Sequence, residues 1–110
     1  MPNNNSLQGR IVLIVQRVWI IAHGLAAAFE TKGAKIIMTR NSEPDLADIP
    51  DLAAVVLDNH NRDLCRRLEA RGIPFVLYTA RVDHKCGAAS IIQKPAPPPE
   101  VVAQVEKLLT

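Results

Sequence analysis

The sequence predicts a single α/β domain in which a parallel sheet is covered by helices on both faces. Three observations lead there. Ile11–Val15 and Leu52–Leu57 are unbroken aliphatic runs, the pattern of strands buried on both sides rather than on one. Segments with apolar residues at helical spacing lie between such runs, so strand and helix alternate along the chain. Glycines stand where two of these helices should stop, at Gly33 and Gly72. The chain has 110 residues, of which 48% are hydrophobic and 22% charged. That supports one packed core without disulfides or metal and excludes a two-domain enzyme.

Taken in order, residues 1–8, with three consecutive asparagines, show no periodicity and are expected to fray, giving a flexible segment 1–9 ahead of a domain 10–110. Ile11–Val15 is the central strand. Residues 18–32 form a helix with Val18, Ile21, Ala22, Leu25, Ala28 and Phe29 on its apolar side. Residues 34–38 are a second strand, 42–48 a short helix opening Ser-Glu-Pro-Asp, and Leu52–Leu57 a third strand. Residues 62–71 are a helix, 74–78 a strand entered through proline, and 80–89 a weak or single-turn helix. Ser90–Gln93 is a fifth strand. Prolines 97–99 start a final helix with Val101, Val102, Val105, Leu108 and Leu109 on one side.

Charge and cysteine usage narrow the function classes. Thirteen Lys+Arg against eleven Asp+Glu give a net charge of +2, too small to require nucleic acid or an anionic membrane as partner. Residues 11–29 carry few charges, yet Arg17 inside them would cost about 2.5–3.5 kcal/mol in a bilayer centre, and a strand followed by an amphipathic helix avoids that cost. No membrane span is predicted. With no signal-peptide pattern and only Cys65 and Cys86, reduced thiols and a cytoplasmic location are expected. His60, Cys65, His84 and Cys86 could converge after the third and fourth strands, but their spacing fits no zinc finger or ribbon, and no metal site is predicted. His23 is expected to be a packed or half-exposed imidazole. Arg62, Arg66, Arg67 and Arg71, interleaved with Asp63 and Glu69, predict a solvated face. No phosphate-binding glycine loop or catalytic triad occurs, so the chain is not expected to be an enzyme.

In open parallel sheets the chemistry gathers beyond the carboxyl ends of the strands. There the sequence places Gln16 and Arg17, Asp58, Thr79 and Lys94. A carboxylate, a hydroxyl and an ammonium on one rim can form an aspartyl-phosphate site, with Asp58 as nucleophile and Thr79 and Lys94 on the phosphoryl oxygens. The plainer reading is a strand-end aspartate that caps a helix or pairs with Arg17.

With Asp58 after the third strand, Thr79-Ala80 after the fourth and Lys94-Pro95 after the fifth, the chain from Arg10 to Leu109 resembles the receiver domain of two-component response regulators. The resemblance implies a flavodoxin-like sheet of order 2-1-3-4-5, Asp58 as acceptor of a phosphoryl group from a histidine kinase, Thr79 and Lys94 as phosphate contacts, and a cis bond before Pro95. The departures are as informative. The family has an acidic pair after its first strand to hold Mg²⁺, and this chain has Gln16 and Arg17; Mg²⁺ binding is therefore expected to be weak or absent. Arg17 would instead set a fixed cation near Asp58. Ile91 stands at the family's aromatic switch position. Asp58 and Thr79 are 21 positions apart and Thr79 and Lys94 are 15 apart, so the third and fourth connections are shortened.

Trp19 and Ile20 are surplus to the core side of the first helix and are candidate interface anchors, for a homodimer or a signalling partner. The sequence thus predicts an atypical, Mg²⁺-independent receiver-like interaction module. A working phosphoacceptor modified on Asp58, and a domain that binds a small molecule or metal at the same rim, are the alternatives.

Overall fold

A computed structural model describes residues 7–40, 46–49, 51–57, 62–79, 90–93 and 97–109. Five strands, β1 (Ile11–Val15), β2 (Lys35–Thr39), β3 (Leu52–Leu57), β4 (Phe75–Thr79) and β5 (Ser90–Gln93), form one parallel sheet ordered β2-β1-β3-β4-β5. Among the described residues three α-helices, α1 (Trp19–Glu30), α2 (Arg62–Ala70) and α3 (Pro98–Leu109), cover it.

Side chains of a strand alternate between faces, so each central strand feeds two cores. Val12, Ile14, Ala54, Val56, Val76 and Tyr78 face α1 and α3, meeting Ala22, Leu25, Phe29, Val101, Val102 and Val105. Leu13, Val15, Val55, Leu57, Phe75 and Leu77 point the other way, against Leu64, Cys65 and Leu68 of α2. This two-sided burial is why the strand runs are continuously aliphatic. β2 is an edge strand and correspondingly only half-buried, with exposed Lys35 and Ile37.

Both helix stops use a left-handed glycine. Gly33 (φ +84°) follows α1, and the amide of Ala34 turns back to the Phe29 carbonyl at 3.3 Å. A β-carbon on Gly33 would also lie 3.2 Å from Gln8 Cγ, so neither backbone nor space favours a larger residue. Gly72 (φ +68°) closes α2 in the same way, with Ile73 N–H bonding to Leu68 O at 2.9 Å.

Three expectations need correction. Leu7 does not fray: it is fully buried in the α1/α3 core, and a turn over 7–9 ties Gly9 N–H to Gly33 O at 2.9 Å. One apolar side chain among polar neighbours carries too little periodicity to announce this. Val18 is not on the core stripe but 50% exposed, because it precedes α1 with extended backbone and so does not share the helical face. Of the expected helix 42–48, Leu46–Asp48 forms a 3-10 turn, and the rest of that segment lies outside the described residues. Arg71 is more than a solvated charge: its guanidinium donates to the carbonyls of Leu46 (2.7 Å) and Ile49 (3.4 Å), pinning that turn to the end of α2. The predicted helix at 80–89 lies outside the described residues.

Candidate functional site

The register of the sheet defines the rim. Val15 pairs with Thr39 of β2 and with Leu57 of β3, and Thr79 pairs with Gln93 of β5. Gln16, Arg17 and Arg40 therefore follow the ends of two neighbouring strands, while Asp58 and Lys94 are next in sequence after Leu57 and Gln93. Asp58 and Lys94 lie outside the described residues, as do His60, His84 and Cys86; Thr79 is placed as the last residue of β4.

The two residues after β1 have opposite environments. Gln16 is completely buried, and its backbone N–H extends the ladder to Thr39 O at 3.0 Å. Arg17 is exposed, and its carbonyl accepts a hydrogen bond from Arg40 Nε at 3.4 Å. A divalent magnesium ion is held by carboxylate and other oxygen ligands. An amide and a guanidinium do not supply that set, and among the described rim residues there is no aspartate or glutamate. Of the two residues after β1, Gln16 carries one amide oxygen and Arg17 none, and neither carries a carboxylate.

Beside this rim the first turn of α1 presents apolar surface. Ile20 is 86% exposed, Val18 half-exposed and Trp19 39% exposed. The Arg40 guanidinium lies 5.4 Å from the Trp19 ring centroid, in cation–π range, and the His23 ring centroid lies 5.7 Å from it, tilted by 59°. Trp19 is thereby braced in place while Ile20 is left open. The structure thus puts both interface candidates on the surface, and His23 beside Trp19. Sequence reading missed Arg40. The pairing of β2 with β1 was the available signal, since it carries the residue after Thr39 to the strand end that releases Arg17.

Cys65 is a buried cysteine on the core side of α2, consistent with a packing role. Among the described residues no group of three or more His, Cys, Asp and Glu side chains is placed to hold a metal, and no helix is long and apolar enough to cross a membrane.

Solved structures share this architecture. A response regulator from Thermotoga maritima superposes with a TM-score of 0.78 at 21% identity, covering 92% of this chain and 98% of its own. An orphan response regulator of H. pylori gives a TM-score of 0.82 at 20% identity, with 94% and 99% covered. The receiver domain of a signal transduction histidine kinase from Syntrophus aciditrophicus gives 0.79 at 24% identity, with 92% and 90% covered. No family model and no curated protein matches the sequence. At these identities the likeness establishes the fold: the chain is an α/β, flavodoxin-like domain built as response-regulator receivers are.

Proposed function

We propose that this chain is a receiver-like interaction module of two-component signalling, cytoplasmic and without enzymatic activity, whose state is set by binding a protein partner rather than by Mg²⁺-dependent phosphorylation of Asp58. The observation that carries the reading is the pair after β1: a buried amide and an exposed guanidinium stand where the resemblance calls for two metal-binding acids. Phosphoryl transfer to an aspartate brings a dianion to a carboxylate, and without the metal their repulsion is not offset. The receiver fold of the neighbours, one of them part of a histidine kinase, supports the signalling context.

The surface for this role is Val18, Trp19 and Ile20, with Arg40 bracing the indole. Apolar anchors beside guanidinium groups suit a partner with an apolar contact and carboxylates around it, either another signalling protein or a second copy of this chain. A working phosphoacceptor is the second reading. It is favoured by the β4–β5 register, which makes Thr79 and the residue before Lys94 direct neighbours across the sheet.

Trp19 is the one tryptophan of the chain and sits at the rim, which makes it a reporter. Titration with MgCl₂ at constant ionic strength is expected to leave its emission without a saturable change through the low-millimolar range. A saturable change that disappears in Asp58→Ala would show a metal site and overturn the reading.

A further inference from the structure

The net charge of +2 hides an uneven distribution. The first forty residues hold five of the thirteen bases, Arg10, Arg17, Lys32, Lys35 and Arg40, against one of the eleven acids, Glu30. The remaining seventy are left with eight bases and ten acids. Two of the five cations, Arg17 and Arg40, are exposed beside the apolar surface of Val18, Trp19 and Ile20. Glu30 lies at the far end of α1, about 16 Å along the helix axis from Trp19 and so beyond the screening length of about 8–10 Å at physiological salt. The segment that builds the apolar patch is therefore also the positive part of the chain. Because Arg40 and His23 hold the indole, a partner meets an anchor that loses little freedom on binding.

Size and charge decide what covers the patch. Its apolar part is three consecutive residues, where a standard protein–protein interface uses roughly 20–30 residues a side, and this suits a short segment rather than the face of a folded domain. A second copy docked through the same patch about a two-fold axis would gather the Arg17 and Arg40 guanidiniums of both chains at one contact, and like charges brought together oppose association. We propose that the patch receives a short acidic segment of another protein. One aliphatic or aromatic side chain of that segment lies on Ile20 and the exposed part of Trp19, and carboxylates on either side of it meet Arg40 and Arg17. A guanidinium presents a planar fork of donors that matches a carboxylate, so the two arginines select the sign and the geometry of the flanking groups. The inference rests on the reading of Val18, Trp19 and Ile20 as a partner surface and narrows the partner to one chemical class.

The test is an NMR titration of the full chain, uniformly labelled with ¹⁵N, with three end-blocked synthetic peptides. They share one leucine–phenylalanine core and differ only in its flanks, which are glutamate, glutamine or lysine. Saturable shifts at the Trp19 indole and the amides of Ile20, His23 and Arg40 are expected with the glutamate peptide, at an affinity at least tenfold above the glutamine peptide and with none from the lysine peptide. Raising NaCl to about 1 M, where the screening length is about 3 Å, is expected to erase most of that preference. Arg40→Gln is expected to reduce the preference at least threefold, and Ile20→Ser, at an 86% exposed position that the fold does not need, to remove binding of both peptides. Equal binding of the glutamate and glutamine peptides at these amides would leave a partner surface and overturn the acidic class alone. Shifts at the same amides that grow with protein concentration in the absence of peptide would assign the patch to a second copy. Cosedimentation with phosphatidylglycerol vesicles that Ile20→Ser abolishes would assign it to a lipid surface. Either of these, or no saturable shift with any peptide, would overturn the proposal.

Discussion

Replacing Phe29 with alanine is expected to remove about 3–5 kcal/mol of stability, the usual cost of emptying a fully buried phenylalanine site. Phe29 is completely buried and belongs to the core shared by α1, α3 and the sheet. It also sits at the end of α1, where its carbonyl receives the amides of Lys32 and Ala34 that turn the chain into β2. A cavity there loosens the attachment of α1 while leaving the α2 core on the other side of the sheet in place. Domains of this size typically have about 5–15 kcal/mol in total, so the variant should melt on the order of 15 °C below the parent. Denaturant unfolding of both proteins measures the difference directly. A loss below about 1 kcal/mol would mean that this core is not packed as described.

The second large effect concerns the rim. Installing carboxylates as Gln16→Asp with Arg17→Asp is expected to lower stability in the presence of chelator, because one new carboxyl group occupies a completely buried position. Added Mg²⁺ should then raise the melting temperature of the double variant and leave that of the parent unchanged. Ligand linkage gives the scale, about 2.7 kcal/mol at a free metal concentration roughly 100 times Kd. The sign follows from differential binding, since the folded double variant holds the ion and its unfolded chain does not. Scanning calorimetry with and without MgCl₂ separates the possibilities. No Mg²⁺ effect on the double variant would show that acids at these two positions do not suffice to make a metal site, and stabilisation of the parent by Mg²⁺ would contradict the account.

Much of the fold was legible because the strongest signals were local. The aliphatic runs at Ile11–Val15 and Leu52–Leu57 and the glycines after α1 and α2 each say one thing about backbone and burial. What escaped the sequence depends on contacts between distant segments. The burial of Leu7 requires the turn at Gly9 to meet Gly33, and the hold of Arg71 on Leu46 spans 25 positions; neither leaves a periodic trace. At the candidate site, the identities of Gln16 and Arg17 were plain, and so was the surplus of Trp19 and Ile20. That one of the first pair is fully buried and the other exposed was not, because residues just past a strand no longer obey its alternation. The burial of Glu106, only 7% exposed, could have been noticed, since it lies four residues after Val102 and so shares the buried face of α3. A polar residue at a buried helical position is the kind of local inconsistency that marks a functional or strained place.

The central claim is that Asp58 does not serve as a Mg²⁺-dependent phosphoacceptor, and it is tested most directly by intact-protein mass spectrometry after incubation with acetyl phosphate. The parent chain and Asp58→Asn are treated side by side, with Mg²⁺ and with chelator, alongside a conventional receiver domain that confirms the reagent. The account predicts no Mg²⁺-dependent phosphoryl adduct on the parent while the conventional domain is modified. An adduct that forms on the parent with Mg²⁺, fails to form with chelator and is absent from Asp58→Asn would contradict it and make the chain a working phosphoacceptor.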